Sequence, residues 1–205
     1  MSKARIAILF GAAAAAALAA AAVVATGRGG TGQREPVAAA GLMRALHEPP
    51  TEASAVPPEI AASLAMVPDV ETGNARRLIS GIGSQGYSVY AAPTSAGGVC
   101  VATPAGGGCF PSFPEAGVST SVGMNNDGRA SPSDRELIAG VARDDVTKIV
   151  VAAGTRRLPV PLRNGGFVYE APTVGLWADA LLVKLADGST ARVPIANANR
   201  FEAIP

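Results

Sequence analysis

Directly behind Lys3 and Arg5, this chain carries Ile6 to Thr26, a run of 21 residues without a charge, and that run narrows every later reading. As a helix rising 1.5 Å per residue it would measure about 31 Å, enough for a hydrocarbon core of roughly 30 Å. Composition makes it a weak span. Its strongly apolar members are Ile6, Ile8, Leu9, Phe10, Leu18, Val23 and Val24, each contributing about −0.3 to −0.6 kcal/mol on insertion, and alanine fills most of the rest. An uncleaved signal anchor is the first reading. A secretory peptide is the second, with Lys3 and Arg5 as its basic start and Val23-Val24-Ala25 as a loose small-x-small cleavage site, and a buried cytosolic helix is the third. The first cysteine is Cys100, which excludes a lipoprotein acylated behind the run.

Lys3, Arg5 and the terminal amine precede the run, against Arg28 and Arg34 after it, so the N-terminus is expected inside. Residues 27–205 are then expected outside the cytoplasm. They form either the outer domain of a single-pass cell-membrane protein, attached through residues 6–26, or a secreted protein. Met1 to Arg5 is too short for a signalling domain, so a sensor would need a membrane partner.

The remaining length suits one domain and a linker. Hydrophobic residues make up 48% of the chain but aromatics only 4%, so a core of Val, Leu and Ile is expected. Setting Lys3 and Arg5 aside from 17 basic residues leaves 15 against 16 acidic ones. A net charge near −1 argues against nucleic acid or another polyanion as partner.

Cys100 and Cys109 flank a glycine-rich stretch pliable enough to turn back on itself. In an exported chain they are expected to form a disulfide, worth about 2.5 kcal/mol in the chain-entropy model. Metal is the rival reading. The one histidine, His47, is far along the chain, two thiols do not complete a tetrahedral zinc sphere, and the spacing is not that of a C-x-x-C redox pair. No metal or cofactor is expected.

Residues 27–75 hold Pro36, Pro49, Pro50, Pro57, Pro58 and Pro68 and read as a Pro/Ala-rich spacer. Two short pieces could be helical: Pro36 to Glu48, with proline at a permissible first position, and Pro58 to Val67, where Ile60, Leu64 and Val67 recur at helical spacing. They are expected as frayed helices, as pieces folded against the domain, or as pieces lying on the membrane. From about Arg76 the texture changes to short β-branched runs broken by Gly, Pro, Asn and Asp. Tyr87 to Ala92, Gly98 to Thr103 and Val118 to Val122 read as strands. Glu136 to Ala142 fits helix or strand by periodicity, and the Arg143-Asp144-Asp145 turn favours pairing it with Thr147 to Ala152. Asp187-Gly188 predicts a type I′ hairpin between Ala180 to Lys184 and Thr190 to Ile195.

A faint repeat relates Arg157-Leu158-Pro159-Val160 to Arg192-Val193-Pro194-Ile195, and the stretch around Phe167 to that around Phe201. Two copies suit a duplicated hairpin, with the proline-bearing strands at edges. The fold class expected for residues 76–205 is all-β, a sandwich or meander of short antiparallel strands.

Chemistry is sparse. Gly81-Ile82-Gly83-Ser84-Gln85-Gly86 fits G-x-G-x-x-G, but it leads into a strand instead of a helix and reads as a flexible loop. Ser80 and Ser84 lack a local base, since His47 sits in the spacer and nothing local supports Lys148 or Lys184. Asp127, Asp134, Glu136, Asp144 and Asp145 would serve glycoside hydrolysis only if two converged within about 5 to 10 Å, and turn capping is the plainer reading. Asn125-Asn126-Asp127-Gly128 fails the EF-hand pattern because Gly123 stands where an acid belongs. Trp177, Tyr87, Tyr90 and Tyr169 could form a sugar-stacking face, though a lone tryptophan is more often packing.

Gly98-Val99-Cys100-Val101-Ala102 followed by Cys109, then Leu137 to Ala152 and Leu158 to Glu170, resembles exported, membrane-anchored proteins of unknown function common in actinobacteria. In those a short disulfide hairpin precedes a G-L-V-P-D-G-V-type turn and a three-strand unit. The resemblance covers about residues 76–205 and implies an all-β extracytoplasmic domain with no known activity. Here Ala142-Arg143-Asp144-Asp145-Val146 replaces V-P-D-G-V, so a different turn is expected. The function expected is non-catalytic: binding or assembly with an envelope protein partner. An envelope hydrolase using paired carboxylates is the alternative.

Overall fold

Short β-branched runs punctuated by turn residues have no helical repeat to propagate, and from Arg76 onward they form strands. The computed structural model describes residues 38–125 and 134–195. Its strands are β1 (Arg76–Ile82), β2 (Tyr87–Pro93), β3 (Val99–Thr103), β4 (Gly106–Phe110), β5 (Val118–Met124), β6 (Glu136–Ala142), β7 (Val146–Ala153), β8 (Arg156–Val160), β9 (Leu162–Arg163), β10 (Gly166–Glu170), β11 (Ala180–Leu185) and β12 (Thr190–Pro194). They make three antiparallel four-stranded sheets: β1-β2-β3-β4, β5-β6-β10-β9 and β12-β11-β7-β8. The expected all-β class holds, with the first sheet a plain meander.

The second sheet is the central layer, because apolar residues leave it on both faces. Leu137, Ala139, Val141 and Val168 meet Leu78, Ile79, Val89 and Val99 of the first sheet. From the other face, Ile138, Phe167 and Tyr169 meet Ile149, Val151, Leu181 and Val183 of the third. Each Val, Leu, Ile or Phe side chain so removed from water contributes about 1.5–3 kcal/mol. All of β6 is buried, which is why its periodicity fits helix and strand alike. A side chain at Gly140 would run into the Ser119 carbonyl, and the Phe167 ring fills the space beside it.

That burial also corrects an expected pairing. Glu136–Ala142 is a strand, but it lies between β5 and β10 and not beside β7. Arg143-Asp144-Asp145 carries the chain from the central sheet to the third, since a strand apolar on both faces is covered only in the middle layer.

The repeat is visible in the third sheet. β8 and β12, with Pro159 and Pro194, are its two edges, hairpinned to β7 and β11, which pair with each other. Proline sits where no ladder donor is needed. The second half of the repeat, at Phe201, lies outside the described residues. The β11–β12 hairpin forms as expected, but its turn is not type I′. Only Gly188 has a positive φ (88°), and the loop closes through Gly188 N–H to Leu185 O (3.0 Å) and Leu185 N–H to Ser189 O (3.0 Å). This is a three-residue loop ending on a left-handed glycine. The adjacent positive φ angles of a type I′ turn occur instead at Asn164 (50°) and Gly165 (76°), between β9 and β10.

Of the alternatives for the proline-rich stretch, its described part folds against the sheets. Short 3-10 helices at Ala39–Leu42 and Arg44–Leu46 put Ala39, Ala40, Met43 and Leu46 into the core beside the first and central sheets. Helix α1 (Pro58–Ala65) starts on proline and packs Leu64 against Ala75, Ala92 and Cys100 on the outer face of the first sheet. The guanidinium of Arg76, 4% exposed, donates to the carbonyls of Ala75 (2.9 Å) and Glu48 (3.2 Å), and Arg77 donates twice to the Ala53 carbonyl. Charged donors of β1 thus tie down carbonyls of the proline-rich stretch. Residues 1–37, with the run at 6–26, lie outside the described residues. Among those described, no helix is long and apolar enough to cross a membrane.

Candidate functional site

The glycine-rich turn between β1 and β2 holds an anion, but the anion is the chain's own. Gly81, Gly83 and Gly86 all have positive φ (73°, 74° and 68°), which shapes the turn so that it closes on Glu170 at the end of β10. The Ser84 N–H donates to Glu170 Oε2 (2.6 Å), the Ser84 hydroxyl to Oε1 (2.7 Å), and Asn125 Nδ2 to Oε1 (2.6 Å). A Cβ at Gly83 would stand 2.7 Å from Oε2. Asn125 Oδ1 in turn accepts the Arg135 N–H at 2.6 Å. One carboxylate therefore ties the first sheet's turn to one end of the central sheet's ladder, where β5 and β10 end and β6 begins.

Burial pushes the Glu170 carboxyl up, but the Ser84 amide and hydroxyl, the Asn125 amide and the Arg135 charge outweigh it and hold the group below its ordinary value. Such a carboxylate is a poor proton acceptor. Tyr87, beside it, is raised by burial and by the Glu170 charge, with the Ser84 side chain pulling the other way; its hydroxyl has no partner in bonding geometry. Sequence reasoning missed Glu170. The signal was a G-x-G-x-x-G turn with no helix behind it.

Of the acids considered for the alternative, paired-carboxylate reading, Glu136, Asp144 and Asp145 take capping and ion-pairing roles. Glu136, 1% exposed, accepts the Ala178 N–H at 2.6 Å on the side of the third sheet, whereas Glu170 leaves the central sheet on the side of the first. Asp144 and Asp145 lie beyond the other end of β6, about 25 Å from Glu136 at strand rise, far more than glycoside hydrolysis allows. Asp144 accepts the Arg44 N–H (2.7 Å), and Asp145 pairs with Arg143 (2.6 Å). Asp134 is half-buried just ahead of β6, and Asp127 lies outside the described residues with Asn126 and Gly128.

The Arg143 turn and the Arg44–Glu48 segment border a polar recess of about 270 Å³, also lined by Thr147 and Arg163. Its charges are largely spoken for: Arg44 pairs with Glu48 (3.4 Å) and Arg143 with Asp145.

None of the three bases considered for Ser84 is near it. His47 Nε2 stands 2.9 Å from the Ala40 carbonyl, and Lys148 and Lys184 belong to the third sheet, beyond the central layer. The aromatic residues do not share a face either. Tyr169 is buried between the central and third sheets, Tyr87 packs between the first and central ones, Tyr90 alternates to the other side of β2, and Trp177 is half-buried ahead of β11. Among the described residues no group of three metal-ligating side chains converges.

Cys100 and Cys109 are bonded, as expected, and are direct cross-strand partners of β3 and β4. Cys100 is buried under α1 and Cys109 is exposed. Beyond the bridge lies the outer edge of β4, where Gly106, Gly107, Gly108 and Cys109 are all exposed and no described strand pairs. Gly106 needs its positive φ (123°), and a Cβ on Gly107 would press on the Val101 carbonyl at 2.6 Å. Gly108 has neither constraint, with open space around it. No family model, no curated protein and no solved structure matches the chain.

Proposed function

We propose that this protein is a non-catalytic domain, tethered to the membrane through residues 6–26 and standing outside the cytoplasm, that works in binding or assembly at the cell envelope. The uncharged run behind two basic residues supports the tether. A structural disulfide supports an oxidising compartment, and the resemblance to exported β-domain proteins points the same way.

The observation that carries the binding role is the outer edge of β4. The third sheet guards its edges with Pro159 and Pro194, and β1 is broken by register shifts, devices that stop unwanted strand pairing. β4 has no such guard. It offers bare glycine backbone, braced from behind by the disulfide, with a glycine at Gly108 that its own hairpin does not require. Such an edge accepts an extended segment of a partner protein as an added strand.

The test places a photo-activated crosslinking residue at Pro104, beside this edge, in the full chain in its native membrane. One discrete adduct is expected, and it should vanish in Gly108→Lys while the melting temperature stays within a few degrees of the parent. No adduct, or one indifferent to Gly108→Lys, would overturn the reading.

A further inference from the structure

Lys148 and Lys184 are the only lysines after Lys3, and they stand directly opposite each other on β7 and β11. Like charges in facing positions destabilise a sheet, and among the described residues no acid pairs with either lysine. Neither lysine is ion-paired among the described residues, both are exposed, and Arg192 lies on the same face one row on, opposite Leu182. Strand alternation explains the sorting: Ile149, Val151, Leu181 and Val183 point to the core, so the residues between them point out. In the described strands of the third sheet those outward positions hold cations, small or apolar residues and one threonine, with no Asp or Glu. A chain of balanced charge thus gathers cations without acids on this face of the described strands.

We propose that this outer face of the third sheet docks on an anionic lipid bilayer. A sheet face is broad and lacks the concavity a small anion would need; the polar recess lies elsewhere, beside the Arg143 turn. Between the cations, Val150 and Leu182 are half-exposed and paired in register, an apolar centre that can settle among headgroups while lysine and arginine reach phosphate. Each basic residue held near an anionic leaflet is worth about fivefold in binding. The unfavourable lysine pair becomes favourable once phosphates lie against it. The proposal goes beyond the β4 edge, which belongs to the first sheet, and the two faces are separately testable.

The experiment reads lysine acylation in the full chain, reconstituted in nanodiscs of phosphatidylcholine alone or with about a third phosphatidylglycerol. Any membrane insertion of residues 6–26 is common to both discs, so it cannot produce the difference. Acylation of Lys148 and Lys184 is expected to slow at least about fivefold in the anionic discs at low salt, and to recover at high salt as the field is screened. Arg192→Glu, which keeps both lysines, should cut the protection several-fold. Equal rates in the two discs would overturn the proposal. So would equal protection in neutral discs by soluble polyphosphate, which would assign the face to a phosphate polymer. As a check on the fold, Lys148→Gln/Lys184→Gln should melt no lower than the parent; a clearly lower melting temperature would show the pair to be structural and also overturn the proposal.

Discussion

Gly166 and Leu78 touch where the first sheet meets the central one: a Cβ built on Gly166 would stand 2.6 Å from the Leu78 Cβ. The contact sets the spacing of two layers. Asn164 Nδ2 donates to the Leu78 carbonyl (3.3 Å) from the turn just before it, so β1 is held against β10 by packing and by a hydrogen bond. Gly166→Ala should therefore force the layers apart and lower stability by about 1–3 kcal/mol, as overpacking of a close contact does. Urea denaturation measures it. Gly108→Ala, at a position with open space, serves as the control and should change stability by less than about 0.5 kcal/mol.

The disulfide closes a loop of nine residues' separation between strands that already pair, so its value should be close to the loop-entropy figure. Replacing both cysteines by alanine is expected to cost about 2–3 kcal/mol in chemical denaturation. Cys100→Ala adds a small packing loss because that side chain is buried beside Leu64, while Cys109→Ala exposes nothing new. The intact chain should gain about two mass units on reduction.

How far these features were legible in the sequence depends on whether their cause was local. The strand runs, the edge prolines and the Cys100–Cys109 bridge each follow from a few neighbouring residues. The partner of Glu136–Ala142 did not, because a run apolar on both faces calls for a middle layer and nothing nearby says which strands supply it. Asp187-Gly188 predicts a type I′ turn, whereas Asn164-Gly165 is the pair that takes those angles, a choice made by the register of the flanking strands. Glu170 was invisible as the partner of the glycine turn because 86 residues separate it from Ser84. The basic face was hidden by a whole-chain balance of charge, which averages over faces that only pairing distinguishes.

Tyr169 carries a buried hydroxyl without a hydrogen-bond partner. Burial and the nearby Glu136 charge push it up to about 12, with Arg156 opposing. The unfolded chain ionises first, so the neutral side chain's contribution is full below about pH 10 and is lost as pH rises toward 12. Tyr169→Phe should leave stability at neutral pH unchanged or raise it by up to about 1 kcal/mol, since an unpaired polar group is removed. It should also flatten the alkaline loss. Ultraviolet titration of the native protein, with three tyrosines in the chain, should show one ionising near pH 12 in the parent and not in the variant.

Glu170 predicts the behaviour at the acid end. Its folded-state value lies below the ordinary 4.5, so the unfolded chain takes up the proton first as pH falls. The stability the carboxylate contributes is fully present above about pH 4.5 and is lost as pH drops through the folded value. Because the group is only half-buried, at the end of β10, the loss should be modest. Glu170→Gln keeps the shape but exchanges a charged acceptor of three hydrogen bonds for a neutral one, and should cost about 1 kcal/mol at neutral pH. Its acid limb should then be shallower than the parent's. Denaturation midpoints followed from neutral pH to pH 3 decide it. Parallel curves offset by a constant would mean that the carboxylate's charge does no work in the clamp and that shape alone holds the turn to β10.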